Sequence, residues 1–271
     1  MNREETEIVL RGLGQTADEN FDLFEIALIC ALHEDPSRDL APARALAQEA
    51  AERLQAHLAG GRIAEALAES LAGDLGLDGD LINYEHPANA DLISVAQRRK
   101  GLPVALGIFY IAAARRCGLQ VFGVDFPGHF LLRVEAADGP VAIDPFSQGR
   151  IVLPSELTAR ALQAGLTPGV GDRLEALMTP VRDRGVAIRL ENNIFARAVG
   201  RGDFPRAERS ALRRALIDPG DHRPWIDVAA AREGQGALAG ALQALAMAQT
   251  LDGAAAIAAR AARERMRLKL N

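Results

Sequence analysis

The stretch "DFPGHFLLRVEAADGPVAIDPF", residues 125–146, decides the reading of this chain. "HFLLRVE" and "VAIDPF" are short runs rich in β-branched and aromatic residues, separated by the turn signal "AADGP". A third such run, "QVFGVDF", stands just before them across "PG". The expectation is a small antiparallel sheet. His129 opens one strand and Asp144 ends the next, a placement that makes two thirds of a catalytic triad and raises the question of the nucleophile.

Upstream, "LPVALGIFYIAAARRCG" predicts a helix with Pro103 in its first turn, closing on Arg115, Arg116 and Gly118. "NADLISVAQRRKG" predicts another, with Asn89 as N-cap and Gly101 at its end. Residues 21–33 are apolar nearly all round, a buried helix; 41–58 and 62–73 show helical spacing, and "DLGLDGD" is expected to be a loop. The first twenty residues are polar and expected to be loosely ordered. Downstream, "GRIVLP" is a fourth strand or a sheet edge, a helix follows at about 154–165, and "GLTPGVGD" begins a connector running to Arg184.

Everything after residue 185 reads as helix and contains a repeat. "GRGDFPRAERSALRRALID" from Gly200 matches "GQGALAGALQALAMAQTLD" from Gly234 at an offset of 34 residues, aligning Gly202 with Gly236, Ala207 with Ala241 and Asp218 with Asp252. That period resembles tetratricopeptide repeats. The expected organisation is a polar segment at 1–20, a domain at 21–170 and a helical repeat region at 185–271. The fold class is α+β and helix-rich.

The bulk numbers exclude several functions. Of 271 residues, 49% are hydrophobic and 25% charged, an ordinary globular balance. A net charge of −5 offers no general attraction to nucleic acid or anionic lipid. Neither an eighteen-residue apolar run nor a secretory leader is present, so no membrane partner is expected. Two cysteines, Cys30 and Cys117, make neither a disulfide framework nor a thiolate metal site, which points to a reducing, cytoplasmic setting. One histidine with one carboxylate supplies too few ligands for zinc, and no cofactor is expected.

The order helix, His strand, Asp strand resembles that of transglutaminase-like and papain-like enzymes, whose cysteine stands at the helix N-terminus. There the dipole lowers the thiol pKa. Pro103 occupies that position, and residues 101–107 contain no Cys, Ser or Thr. Cys117 lies fourteen residues further along the same helix, roughly 20 Å away and at the wrong pole of the dipole. Cys30 sits in an apolar helix, where burial raises its pKa; its approach to His129 is left open by the sequence. The stretches "RRKGLP" at 98–103, "GVDFPGHFLLR" at 123–133 and "IDPF" at 143–146, with Asn89 and Leu92, resemble the SirB1 family. That resemblance implies a transglutaminase-like domain of cysteine-protease ancestry followed by tetratricopeptide repeats, and it supplies no reaction. Where the family often has Ser or Thr two residues past the proline, this chain has Ala105.

The expected function is therefore a non-catalytic adaptor or regulator binding a protein or peptide. The rival is a hydrolase or amidase in which His129 and Asp144 activate water. His129 is either the old triad imidazole or a structural histidine; Asp144 caps a turn, orients His129, or does both. Asn89, Arg98 and Arg99 flank the candidate groove, with Tyr84 and His86 beside them by analogy. Trp225 is an inter-repeat anchor or a ligand contact. Arg206, Arg209, Arg213 and Arg214 form either a positive face for an acidic segment or a solvated one. If His129 is buried against Asp144, His129→Ala should destabilise by about 1–3 kcal/mol.

Overall fold

The structure, a computed structural model, describes residues 1–167, 174–251 and 259–264. Its architecture is α+β. The chain divides into two units: Met1–Phe21, Ile29–Arg38 and Ala187–Asn271 form one, Asp22–Leu28 and Asp39–Val186 the other.

The second unit is built round helix α6, Pro103–Arg116, buried continuously from Val104 to Ala114. So apolar a helix is stable only when enclosed on all sides. Helices α3 (Ala41–His57), α4 (Ile63–Ala68) and α5 (Leu92–Arg98) belong to the same unit. Beside α6 lies an antiparallel sheet in the order β3 (Val121–Val124), β4 (Leu131–Ala136), β5 (Gly139–Asp144), β6 (Arg150–Ile151). Register pairs Val124 with Leu131, Leu132 with Ile143, and Asp144 with Arg150. Gly107 lets α6 meet β4, since a Cβ there would stand 2.6 Å from the Phe130 ring. Helices α7 (Pro154–Gln163) and α8 (Leu174–Leu177) add Leu157, Ala161, Leu174 and Leu177 to an apolar cluster with Val124, Phe126 and Leu131.

"DLGLDGD" is not wholly loop. It holds strand β1 (Asp78–Gly79), which pairs in parallel with β2 (Lys100–Gly101). Asn89 does not cap α5. Asp91 does, accepting the Ser94 N–H at 2.7 Å, and Arg99 rather than Gly101 ends the helix with φ +60°. "GLTPGVGD", residues 165–172, lies largely outside the described residues.

In the first unit, residues 1–20 are ordered where loose structure was expected. Helix α1, Arg3–Gly14, starts with a capping box in which Asn2 Oδ1 accepts the Glu5 N–H and Glu5 accepts the Asn2 N–H, both at 2.9 Å. Gly14 abuts helix α10 (Phe204–Ile217), where a Cβ would fall 1.9 Å from the Leu216 carbonyl oxygen. Helix α2 (Leu23–Glu34) supplies residues to both units, and so does α9 (Asp183–Gly200).

Helices α9, α10, α11 (Arg223–Gly234) and α12 (Leu238–Leu251) follow one another across two matching turns. Gly202 and Gly236 are both left-handed. Gly202 N–H bonds Val199 O and Asp203 N–H bonds Ala198 O; Gly236 bonds Glu233 and Ala237 bonds Arg232 in the same pattern, 34 residues on. Ala207 and Ala241 are both fully buried. Asp252, the expected partner of Asp218, lies outside the described residues. Among the described residues no helix is long and apolar enough to cross a membrane.

Candidate functional site

His129 stands at the end of a turn that its neighbours dictate. Pro127 and Gly128 occupy the two central positions, Gly128 has φ +73°, and the His129 N–H closes on Phe126 O at 2.8 Å. Phe126 and Phe130 on either side are buried, which fixes the turn while the imidazole itself is exposed.

Asp144, at the end of β5, is buried. Its Oδ1 accepts the Phe146 N–H at 3.1 Å and caps a short 3-10 turn, Pro145–Ser147. Its Oδ2 accepts Ser147 Oγ at 3.2 Å and Arg160 Nη1 at 3.0 Å. The turn-capping role is thus present, and Arg160, on α7, adds an ion pair that the sequence reading missed. Partial burial pulls the His129 pKa below its ordinary value; Arg160 pulls it further, and Asp144 opposes both. The Tyr110 hydroxyl of α6 is buried with no hydrogen-bond partner. Burial pushes its pKa up, and the Asp78 and Asp144 carboxylates push it further.

Pro103 occupies the first turn of α6. Neither thiol has thiolate character. Burial pushes Cys30 well up, and the Glu191 carboxylate adds to it; its neighbours Glu191 and Arg213 belong to the first unit. Cys117 stands at the C-cap of α6, its thiol donating to Ala51 O at 3.3 Å, and burial raises its pKa as well. Among the described residues no group of three His, Cys, Asp or Glu side chains is placed to hold a metal ion.

Asn89 and Arg98 come together, but as an internal brace. Asn89 is fully buried; its Nδ2 donates to the carbonyls of Asn83 at 2.8 Å and Tyr84 at 3.3 Å. Arg98 donates to Asn89 Oδ1 at 2.7 Å and pairs with Asp80 at 3.0 Å. The carbonyl of Arg99 accepts the Asp78 N–H, tying α5 to β1. Tyr84 packs edge-on against Phe146, 5.6 Å between centroids, in the short turn that Asp144 caps; His86 Nδ1 accepts the Ala88 N–H. In the first unit, Trp225 is half-buried against the cluster of Ala211, Val228 and Leu245.

The arginines of α10 make no free positive face. Arg209 and Arg213 pair with Glu34 at 2.6 and 3.0 Å, Arg213 also with Glu191 at 2.9 Å, and Arg214 with Asp227 at 2.8 Å. Arg213 is 1% exposed. Alternation along a helix cannot reveal such pairing, because Glu34 precedes Arg213 by 179 residues.

A family model described as the transglutaminase-like superfamily matches residues 40–192. A UPF0162 protein of Xylella fastidiosa strain Temecula1 is 32% identical over 76% of this chain and 75% of its own. The chain belongs to the transglutaminase-like superfamily and, within it, to the UPF0162 proteins. A UPF0162 protein of Pseudomonas aeruginosa is 32% identical over 48% of this chain and 59% of that protein. Mouse F-box only protein 21 is 30% identical over 33% of this UPF0162 chain and 16% of its own. No solved structure matches.

Proposed function

We propose that this UPF0162 protein is a non-catalytic member of the superfamily, an adaptor or regulator. In this reading it binds a protein or peptide through the surface around His129 and through a tetratricopeptide-like array formed by α9–α12. The observation that carries it is the opening turn of α6: Pro103 stands where the superfamily's thiol is expected. The engagement of Asp144 by Arg160 supports the same reading, because that carboxylate is already neutralised by a cation. The turn hydrogen bonds recurring after 34 residues support the array. The test is a panel of amides and esters together with a random-peptide library. The expected result is no turnover above buffer, and a peptide consensus whose binding is lost in His129→Ala or Trp225→Ala. Turnover that disappears in His129→Ala would refute it.

One observation favours a hydrolase instead. The lowered pKa of His129 leaves the imidazole neutral, and so able to take a proton from water, near neutral pH. In that reading kcat/KM rises with pH along a limb centred below 6.5, the ordinary value for histidine.

A further inference from the structure

In the first unit, helices α1, α2 and α10 meet at one fully buried side chain, His33. Both ring nitrogens are engaged. Nε2 lies 3.2 Å from Glu7 Oε1 on α1, and Nδ1 lies 3.3 Å from Arg213 Nη1 on α10. A guanidinium carries N–H donors and no acceptor, so Nδ1 can only accept. The ring is therefore neutral, and its one proton sits on Nε2 and is donated to Glu7. The other ionised groups around it are already committed. Arg213 also pairs with Glu34 of α2 and with Glu191 of α9, and Arg209 pairs with Glu34. Arg206 stands 4.0 Å from Glu34, and Glu191 Oε2 accepts the Ser210 hydroxyl. Arg3 of α1 donates to the backbone carbonyl of His33 at 3.1 Å. Cys30, one turn back on α2, is kept a neutral thiol by burial and by Glu191.

We propose that His33 is a proton-operated latch between α2 and α10. A second ring proton has one place to go, Nδ1, and there it meets the Arg213 N–H head on. One hydrogen bond is lost, and two like charges are left 3.3 Å apart in a buried site that screens them poorly. The same proton strengthens the contact on the other side, because an imidazolium donates to the Glu7 carboxylate more strongly than a neutral ring does. Acid therefore loosens α10 and keeps α1 in place, a choice of partner that a uniform loss of stability would not make. Burial and Arg213 lower the His33 pKa while Glu7 and Glu191 oppose them, so the latch opens below 6.5. Glu34, held at about 2, stays ionised through that range and keeps its arginines, which makes the release local. Helix α10 is tied to α9 through Ser210 and Glu191 and to α11 through Arg214 and Asp227. Through this one ring, pH sets how firmly the helical run is seated on α2.

Nitrogen NMR of the full-length protein labelled at histidine tests the first step. At neutral pH Nδ1 should be the unprotonated nitrogen of the His33 ring, and acid should protonate it below 6.5. Hydrogen exchange tests the second step. Between about pH 7 and about pH 5, protection factors in α10 should fall about tenfold while those in α1 hold. His33→Gln offers an amide oxygen to Arg213 and an amide N–H to Glu7 but no titrating group, and it should leave α10 protection flat over the same range. A proton on Nδ1 at neutral pH, a ring that stays neutral while α10 opens, α1 and α10 losing protection together, or an unchanged fall in His33→Gln would each overturn the proposal. The two measurements on the wild-type chain decide it whether or not His33→Gln folds.

Discussion

At the residue scale, the cation–carboxylate contact between Arg160 and Asp144 governs the site. Side-chain exposure is 17% and 8%, so water screens the pair weakly. Removing one partner of a buried pair strands the other, and Arg160→Gln should destabilise by about 3 kcal/mol in urea unfolding. The same change takes away a positive charge that disfavours the imidazolium, so the His129 pKa should rise, read from its ring proton shifts across pH. His129→Ala should cost less than about 1 kcal/mol, because its ring lies at the surface. The 1–3 kcal/mol expected from sequence rested on a buried imidazole, and the structure does not bury it.

At the scale of elements, Asn89 shows how far local reasoning reaches. Asparagine ahead of an apolar run signals an N-cap, yet Asp91 stands closer to the helix and accepts the Ser94 N–H in its place. Asn89 is thereby free to brace the loop from behind. Asn89→Ala should cost about 2–3 kcal/mol by leaving two carbonyls and Arg98 without their partner, measured by thermal unfolding. What the sequence made legible was what depends on neighbours: α6 with its proline start, the strands round "AADGP", and the 34-residue recurrence. The Asn2–Glu5 box was legible too, but the polarity of residues 1–20 masked it. Strand β1 is two residues long, too short for any periodicity to announce. Arg160 was hidden because its partner is sixteen residues away on another element, and an arginine on a helix face looks the same whether solvated or paired.

At the scale of the whole molecule, the first unit carries an ionic core whose response to acid can be stated. Burial raises the Glu34 pKa, but hydrogen bonding from Arg209 and the charges of Arg213 and Arg209 win, holding it at about 2 against an ordinary 4.5. A depressed carboxylate stabilises above its unfolded value, so this contribution is complete above about pH 4.5 and is lost as pH falls toward 2. His33 is fully buried and its pKa is lowered by burial and by Arg213, against Glu7 and Glu191, which favour its charged form. Its unfolded form takes up the proton first, so stability also declines as pH falls below 6.5. Both effects run in one direction. Protection factors of the α10 amides, taken against the intrinsic exchange rate at each pH, should fall on acidification, and Glu34→Gln should flatten the lower part of that profile.

The pieces of that first unit are widely separated along the chain, with Glu34 lying 175 residues ahead of Arg209. A ribosome delivers α1 and the second half of α2 long before it delivers α9 and α10, whereas residues 39–186 emerge as one run. At ordinary elongation rates the wait is roughly 10–30 s. Throughout it, Leu10, Ile29 and Leu32, all buried in the finished protein, have not yet met the helices of their own unit made last. Biosynthesis of this protein therefore opens a window for holdase chaperones on its N-terminal helices, and a stalled nascent chain ending before residue 187 would keep that window open.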